Sequence, residues 1–155
     1  MSGEIHSVRQ ALVLLGERET RRWLHLVVTL AAGQNRTSAL ILAALVRARF
    51  CELLGAKSRQ GDSDLFLMGL LSLMDAILDI PMAEIMKNIS LDPECKAALL
   101  GNAGSSAAVY QLVLAQEIGD WPRVAELAKQ LHVTESEVAD EHWQAMQWAR
   151  QMTGA

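Results

Sequence analysis

FLMGLLSLMDAILDIPMAEIMKNISLDPECKAALL, residues 66–100, decides the fold. Its first half is apolar on nearly every side, a pattern a helix tolerates only when other helices surround it. Over residues 65–78 the exceptions fall on two narrow stripes at helical spacing. Gly69, Ser72 and Ala76 are small and let a neighbouring backbone approach, while Asp64, Ser72, Asp75 and Asp79 can reach water or a capping partner. The spacing predicts one helix here, stopped by Pro81, which cannot donate an interior hydrogen bond and restrains the residue before it. A short helix over 82–88 follows with Pro81 at its opening. Asp92-Pro93 starts another through a side-chain cap and a preset backbone angle, and Gly101 ends it.

The same grammar extends outward in both directions. Upstream, Val8, Leu12 and Leu15 share one face of a helix over 6–15 closed by Gly16. A second helix over 17–32 sets Arg18, Arg22, His25 and Thr29 against Trp23, Leu24, Leu26, Val27 and Leu30. Thr37 or Ser38 caps a long helix through Leu54 whose middle, ALILAALV, is apolar all round, and 55–61 reads as a polar loop. Downstream, Ser105 or Ser106 caps a helix over 107–118 ended by Gly119. Asp120 and Pro122 open a helix over 121–131. Thr134-Glu-Ser-Glu137 is a capping box for a last helix that runs to about Met152.

A chain of 155 residues fits one domain, able to bury roughly two thirds of its unfolded surface. Leu and Ala dominate, and no β-type alternation of Val, Ile, Thr and Tyr occurs, so the fold class is all-α, a bundle of about eight to nine helices. Net charge is −4, but residues 1–60 carry nine Lys/Arg against four Asp/Glu and residues 61–155 five against fourteen. That lopsidedness bears on partners and self-association. Cys51 and Cys95 lack metal-type spacing, and two free thiols in a reducing cytoplasm are the expectation. No apolar run reaches the ~20 residues of a spanning helix, and ALVLL is too short for a secretory signal, so the expected location is cytoplasmic, away from the membrane.

Catalytic signatures are sparse. His6, His25, His132 and His142 are scattered, with no His-Asp pair and no His-x-x-x-His, and read as solvated or capping histidines. Asp62, Asp64 and Asp75, with Asp79, form a weak hard-cation candidate, since oxygen ligands suit magnesium or manganese; capping and solvation explain the same acids. Phosphate-loop, dinucleotide and hydrolase-elbow motifs do not occur. Cys51, beside Phe50 and Leu53, reads as a core thiol. Arg18, Arg21 and Arg22, extended by Arg47 and Arg49, form a basic cluster able to grip a phosphodiester or an acidic partner surface, although a solvated helix face explains it as well. VAELAKQLHVTESEVADEHW has helix-turn-helix spacing, with Ala128, Val133 and Val138 as packing residues. Its second helix nevertheless carries Glu135, Glu137, Asp140 and Glu141 and no base before Arg150. Such a surface repels a phosphate backbone, so the reading is a helix pair packed by Trp143 and Trp148.

HSVRQALVLLGERETRRWL, LVRARFCELLG, DLFLMGLLSLMDAILDIPMAEIMKNISLDPECKAALLG and the GDW at 119–121 together resemble the second half of the HDOD domain, most closely in bacterial proteins that join an EAL domain to an HDOD domain. The resemblance covers nearly the whole chain. It implies an all-helical relative of the HD phosphohydrolases without the His-Asp metal ligands, serving as a regulatory or protein-interaction module in signal transduction near cyclic-di-GMP pathways. Such a domain has further helices ahead of 3–9, so the chain is expected to correspond to a C-terminal portion, any EAL domain lying outside it.

The resulting expectation is a non-catalytic module that needs no cofactor, packs against a protein partner or its own copy, and has little affinity for nucleic acid. Self-association is expected because the first two helices would otherwise leave an apolar patch exposed. The alternatives are a metal-dependent phosphohydrolase with carboxylate ligands at Asp62, Asp64 and Asp75, and nucleotide or nucleic-acid binding through Arg18, Arg21 and Arg22.

Overall fold

Asn35–Lys57, here α1, is the helix against which most of the others are laid. The computed structural model describes residues 35–58, 64–102 and 104–153; the expected helices over 6–15 and 17–32, with Arg18, Arg21, Arg22, His6 and His25, and also Asp62, lie outside the described residues. After α1 come α2 (Leu65–Leu71), α3 (Met74–Leu78), α4 (Met82–Lys87), α5 (Pro93–Leu99), α6 (Ser105–Ile118), α7 (Trp121–Gln130) and α8 (Glu135–Thr153). No strand occurs among the described residues, in keeping with the all-α expectation. No described helix is long and apolar enough to cross a membrane.

The most extensive packing is that of α1 on α2 and on α8. At the first of these interfaces the small residue at 69 is decisive. A Cβ added to Gly69 would lie 2.4 Å from the Arg47 carbonyl oxygen and 2.7 Å from Ala48 Cα, so the two helices meet backbone to backbone. Ala44 and Ala48 on α1 are fully covered there, and Phe50, Leu54, Leu67, Met68 and Leu71 fill the space around them. On the expected small stripe, Gly69 and Ser72 are buried; Ala76 is exposed and takes no part.

Several helix ends follow the local chemistry. Asp92 accepts from the Glu94 amide at 2.9 Å, Asp120 accepts from the Arg123 amide at 3.3 Å, and Gly101 and Gly119 take the left-handed conformation with φ of +87° and +73°. The Thr134–Glu137 capping box is reciprocal, with bonds of 3.1 and 3.0 Å. Ser106 departs from its expected capping role. It lies inside α6, fully buried, within 3.8 Å of the Cys95 thiol, and Gly104 occupies the cap position without a side-chain bond.

Three larger differences have physical causes. The single helix expected over 65–78 is broken at Ser72–Leu73, because the Ser72 hydroxyl donates to the Gly69 carbonyl at 2.6 Å and Leu73 adopts φ −110°, ψ 6°. The helix α1 starts at Asn35 and continues through Gly55 to Lys57, where a polar loop was expected. Gly55 is buried, and the Lys57 amine reaches Glu137 (3.6 Å) and Glu141 (3.9 Å) on α8, so tertiary packing overrides the weak helix propensity of glycine. The α7–α8 pair buries Ala128, Val133 and Val138 as expected, but Trp143 is 59% exposed and packs nothing into the pair. Trp148 turns instead to α2, meeting Phe66 edge to face at 5.8 Å.

Replacing an interior helical glycine by alanine ordinarily stabilises by about 1 kcal/mol. Here the sign is expected to reverse: Gly69→Ala must separate two backbones, and urea denaturation should show a loss of about 1–3 kcal/mol. A variant as stable as the parent would refute the close approach.

Candidate functional site

Arg47 points its guanidinium into the junction of three elements. It leaves α1 one residue before the Ala48 contact and between buried Ala44 and Cys51, so helical periodicity sets it at the rim of the buried face. Its Nε donates to Glu117 Oε2 at 2.6 Å and its Nη2 to Glu117 Oε1 at 3.2 Å, a forked pair across to the end of α6. The remaining nitrogen, Nη1, donates to Ser72 Oγ at 3.2 Å at the break between α2 and α3. Burial holds the nearby Tyr110 phenol above its ordinary range, with Arg47 opposing. Arg47 is therefore spent inside the molecule. Arg49 is likewise engaged, paired with Glu52 and set 5.8 Å over the Trp148 ring, so neither extends a free basic surface.

The acids of the weak cation candidate are used separately. Asp64 Oδ2 accepts from the Asp92 amide at 2.7 Å, Asp75 Oδ1 accepts from the amide of Ala76 at 2.8 Å, and Asp79 ends α3 in the left-handed conformation with φ +55°. Among the described residues no group of three or more His, Cys, Asp or Glu side chains is arranged to hold a metal ion. Both cysteines are buried and free. Burial pushes the Cys51 thiol far above its ordinary range and that of Cys95 up to about 11, which suppresses the thiolate.

The interface of α1 with α8 holds further groups that sequence reasoning passed over. His142 is neither solvated nor a cap: its ring stacks on Phe50, centroids 4.8 Å apart and planes at 11°. Burial lowers its proton affinity, and Glu117 partly offsets this. Glu141 is buried beside Lys57, and burial raises its carboxyl above the usual range against the pull of that amine. His132, by contrast, is exposed in the α7–α8 turn at φ +58°.

On the outside, α6 and α7 form an antiparallel pair with two surface features. An open groove of about 440 Å³ lies between the α5–α6 connection and α7, lined by Asn102, Ala107, Gln111, Arg123, Leu127 and Gln130. At the opposite end, where α6 turns into α7, Ile118 is 78% and Trp121 58% exposed, with the indole resting over Gly119. Glu117, the partner of Arg47, adjoins this apolar corner.

Among the described residues, fold and surface thus define an all-helical chain in which Arg47, Asp64 and Asp75 are engaged internally and two of the exposed apolar side chains, Ile118 and Trp121, meet at one helix corner. No family model matches the chain, and no solved structure does. Among curated proteins, it is 31% identical over its full length to 38% of the uncharacterized protein YuxH of Bacillus subtilis. It is also 28% identical, over 97% of its length, to 35% of the cyclic di-GMP phosphodiesterase CdgJ of Vibrio cholerae. The chain spans little more than a third of these relatives.

The His142 shift has a testable sign. A histidine whose folded value is depressed contributes stability that is present above its unfolded value and lost as the pH falls below it. His142→Phe keeps the stack and removes the titration. Between about pH 7.5 and about pH 5.5 the parent should lose stability relative to this variant. Urea midpoints at the two pH values measure the difference, and an unchanged difference would refute the buried, neutral imidazole.

Proposed function

We propose that the chain is a non-catalytic helical regulatory module that acts by packing against a protein in bacterial signal transduction, in the cytoplasm, in a pathway that turns over cyclic di-GMP. The observation that carries the reading is the corner formed by Ile118 and Trp121. Two large apolar side chains at one turn of a polar surface are the usual anchors of a protein interface, where buried aromatics supply much of the binding free energy. The engaged state of Arg47, Asp64 and Asp75 supports the absence of a reaction centre in the described part of the chain. The match to a cyclic di-GMP phosphodiesterase supports the pathway, and the strings that resemble an HDOD domain support the regulatory role within it. Hydrolysis of the dinucleotide is then the task of a region that relatives carry outside the matched third.

Light scattering and an environment-sensitive apolar dye test the proposal on the full chain. The expected result is self-association or dye binding that falls sharply in the double variant Ile118→Asp, Trp121→Ser. No hydrolysis of cyclic di-GMP or a generic phosphodiester is expected with manganese present. A monomer that binds no dye, or turnover by the chain itself, would overturn the reading.

A further inference from the structure

Residues 73–91, which carry α3 and α4, are held down by apolar contact alone. Met74, Ile85, Met86 and Leu91 are buried beneath them, while Ile80, Pro81, Glu84 and Lys87 face outward. Among the described residues the stretch makes no hydrogen bond or ion pair to any residue outside it. Ile77 bonds back to Leu73, Ile80 to Asp75, Lys87 to Glu84, and the Asn88 side-chain amide donates to the Glu84 carbonyl. The polar anchors stand just beyond its two ends. At one end Ser72 is fixed by Gly69 and Arg47; at the other the Asp92 amide donates to Asp64 at 2.7 Å, closing the base of the excursion.

The first anchor is also a hinge. Ser72 keeps helical torsions, and Leu73 departs from them in both φ and ψ, so rotation at one residue re-aims α3 against α2. Methionines supply much of the underside, and their unbranched side chains repack with little strain when the covering element shifts. The hinge is wired to the surface. Arg47 bonds Ser72 with one nitrogen and Glu117 with the other two, and Glu117 precedes the exposed Ile118 in sequence.

We propose that residues 73–91 form a strap that opens as a unit about Ser72–Leu73, that the Arg47–Ser72 hydrogen bond is its latch, and that contact at the Ile118–Trp121 corner reaches the latch through Glu117. A partner that draws the Glu117 carboxylate away leaves the Arg47 side chain free to turn from Ser72, and the hinge loses its hydrogen bond to α1 while the local bond of Ser72 to Gly69 stays. The regulatory use of this device rests on the proposed docking corner. The existence of the strap does not, and it can be tested without a partner.

Hydrogen exchange read by mass spectrometry on the full chain separates the outcomes. In the parent, amides of 74–89 should exchange at least ~10-fold faster than those of α1, α6 and α8, which marks a local opening distinct from global unfolding. Ser72→Ala, which removes the latch together with the hydroxyl bond to Gly69, should accelerate 74–89 by a further ~10-fold and leave α6 and α8 unchanged. Glu117→Gln, a change at a partly exposed position, should accelerate the same amides less. Equal protection of strap and core in the parent, or an acceleration spread over every helix in both variants, would overturn the proposal. If the strap opens while the corner variants neither lose dye binding nor change oligomeric state, the docking reading fails and the strap stands.

Discussion

One guanidinium ties three helices together, and its placement depends on a glycine. Gly69 lets α2 lie directly on the backbone of α1 at Arg47 and Ala48, which brings Ser72 within reach of the guanidinium that also holds Glu117. The apolar core supplies the bulk of the stabilisation, but apolar burial is non-directional. The forked Arg47–Glu117 pair is directional. It ties the end of α6 to α1, and the same guanidinium reaches Ser72 at the break between α2 and α3. A partly buried charge of this kind is tolerated because each of its three nitrogens finds an acceptor.

The second organising interface, α1 with α8, follows a related logic at a polar edge. Lys57 at the end of α1 meets Glu137 and Glu141 at the start of α8, so a cation sits where the helix dipole of α1 is negative and acids sit where that of α8 is positive. Between these charges and the core, His142 lies flat on Phe50. The acidic N-terminal part of α8 is thereby partly turned inward, which further separates this helix pair from a nucleic-acid reader.

Much of the helical grammar was legible from local chemistry. Asp92, Gly101, Gly119, Asp120 and the Thr134–Glu137 box act within a few residues of themselves, and the small residue at 69 announced a close approach on a helix apolar elsewhere. What was not legible depends on residues far apart in sequence. The Ser72 hydroxyl at the break also accepts from Arg47, twenty-five positions away. The continuation of α1 past Gly55 accompanies pairing to Glu137 and Glu141. Trp143 and Trp148 are equally apolar as letters, and only the docking of α8 decides that one meets Phe66 while the other faces out. The partners of the candidate acids were not legible for the same reason: helical spacing placed them on one stripe, while Asp64 turns to the amide of Asp92 and Asp75 to the amide beside it. Arg47 was read with a surface cluster because charge suggests exposure; its position among Ala44, Ala48 and Cys51 was the available sign of the opposite.

The central claim is that Arg47 and Glu117 act as a coupled pair on which the arrangement of α1, α2 and α6 depends. A double-mutant cycle with Arg47→Met and Glu117→Gln, followed by urea denaturation, measures that coupling with the contributions of each side chain to the rest of the protein cancelled. A favourable coupling of about 1 kcal/mol or more that persists at high salt is expected, as befits a forked and partly buried pair. Independent, additive effects of the two substitutions would contradict it.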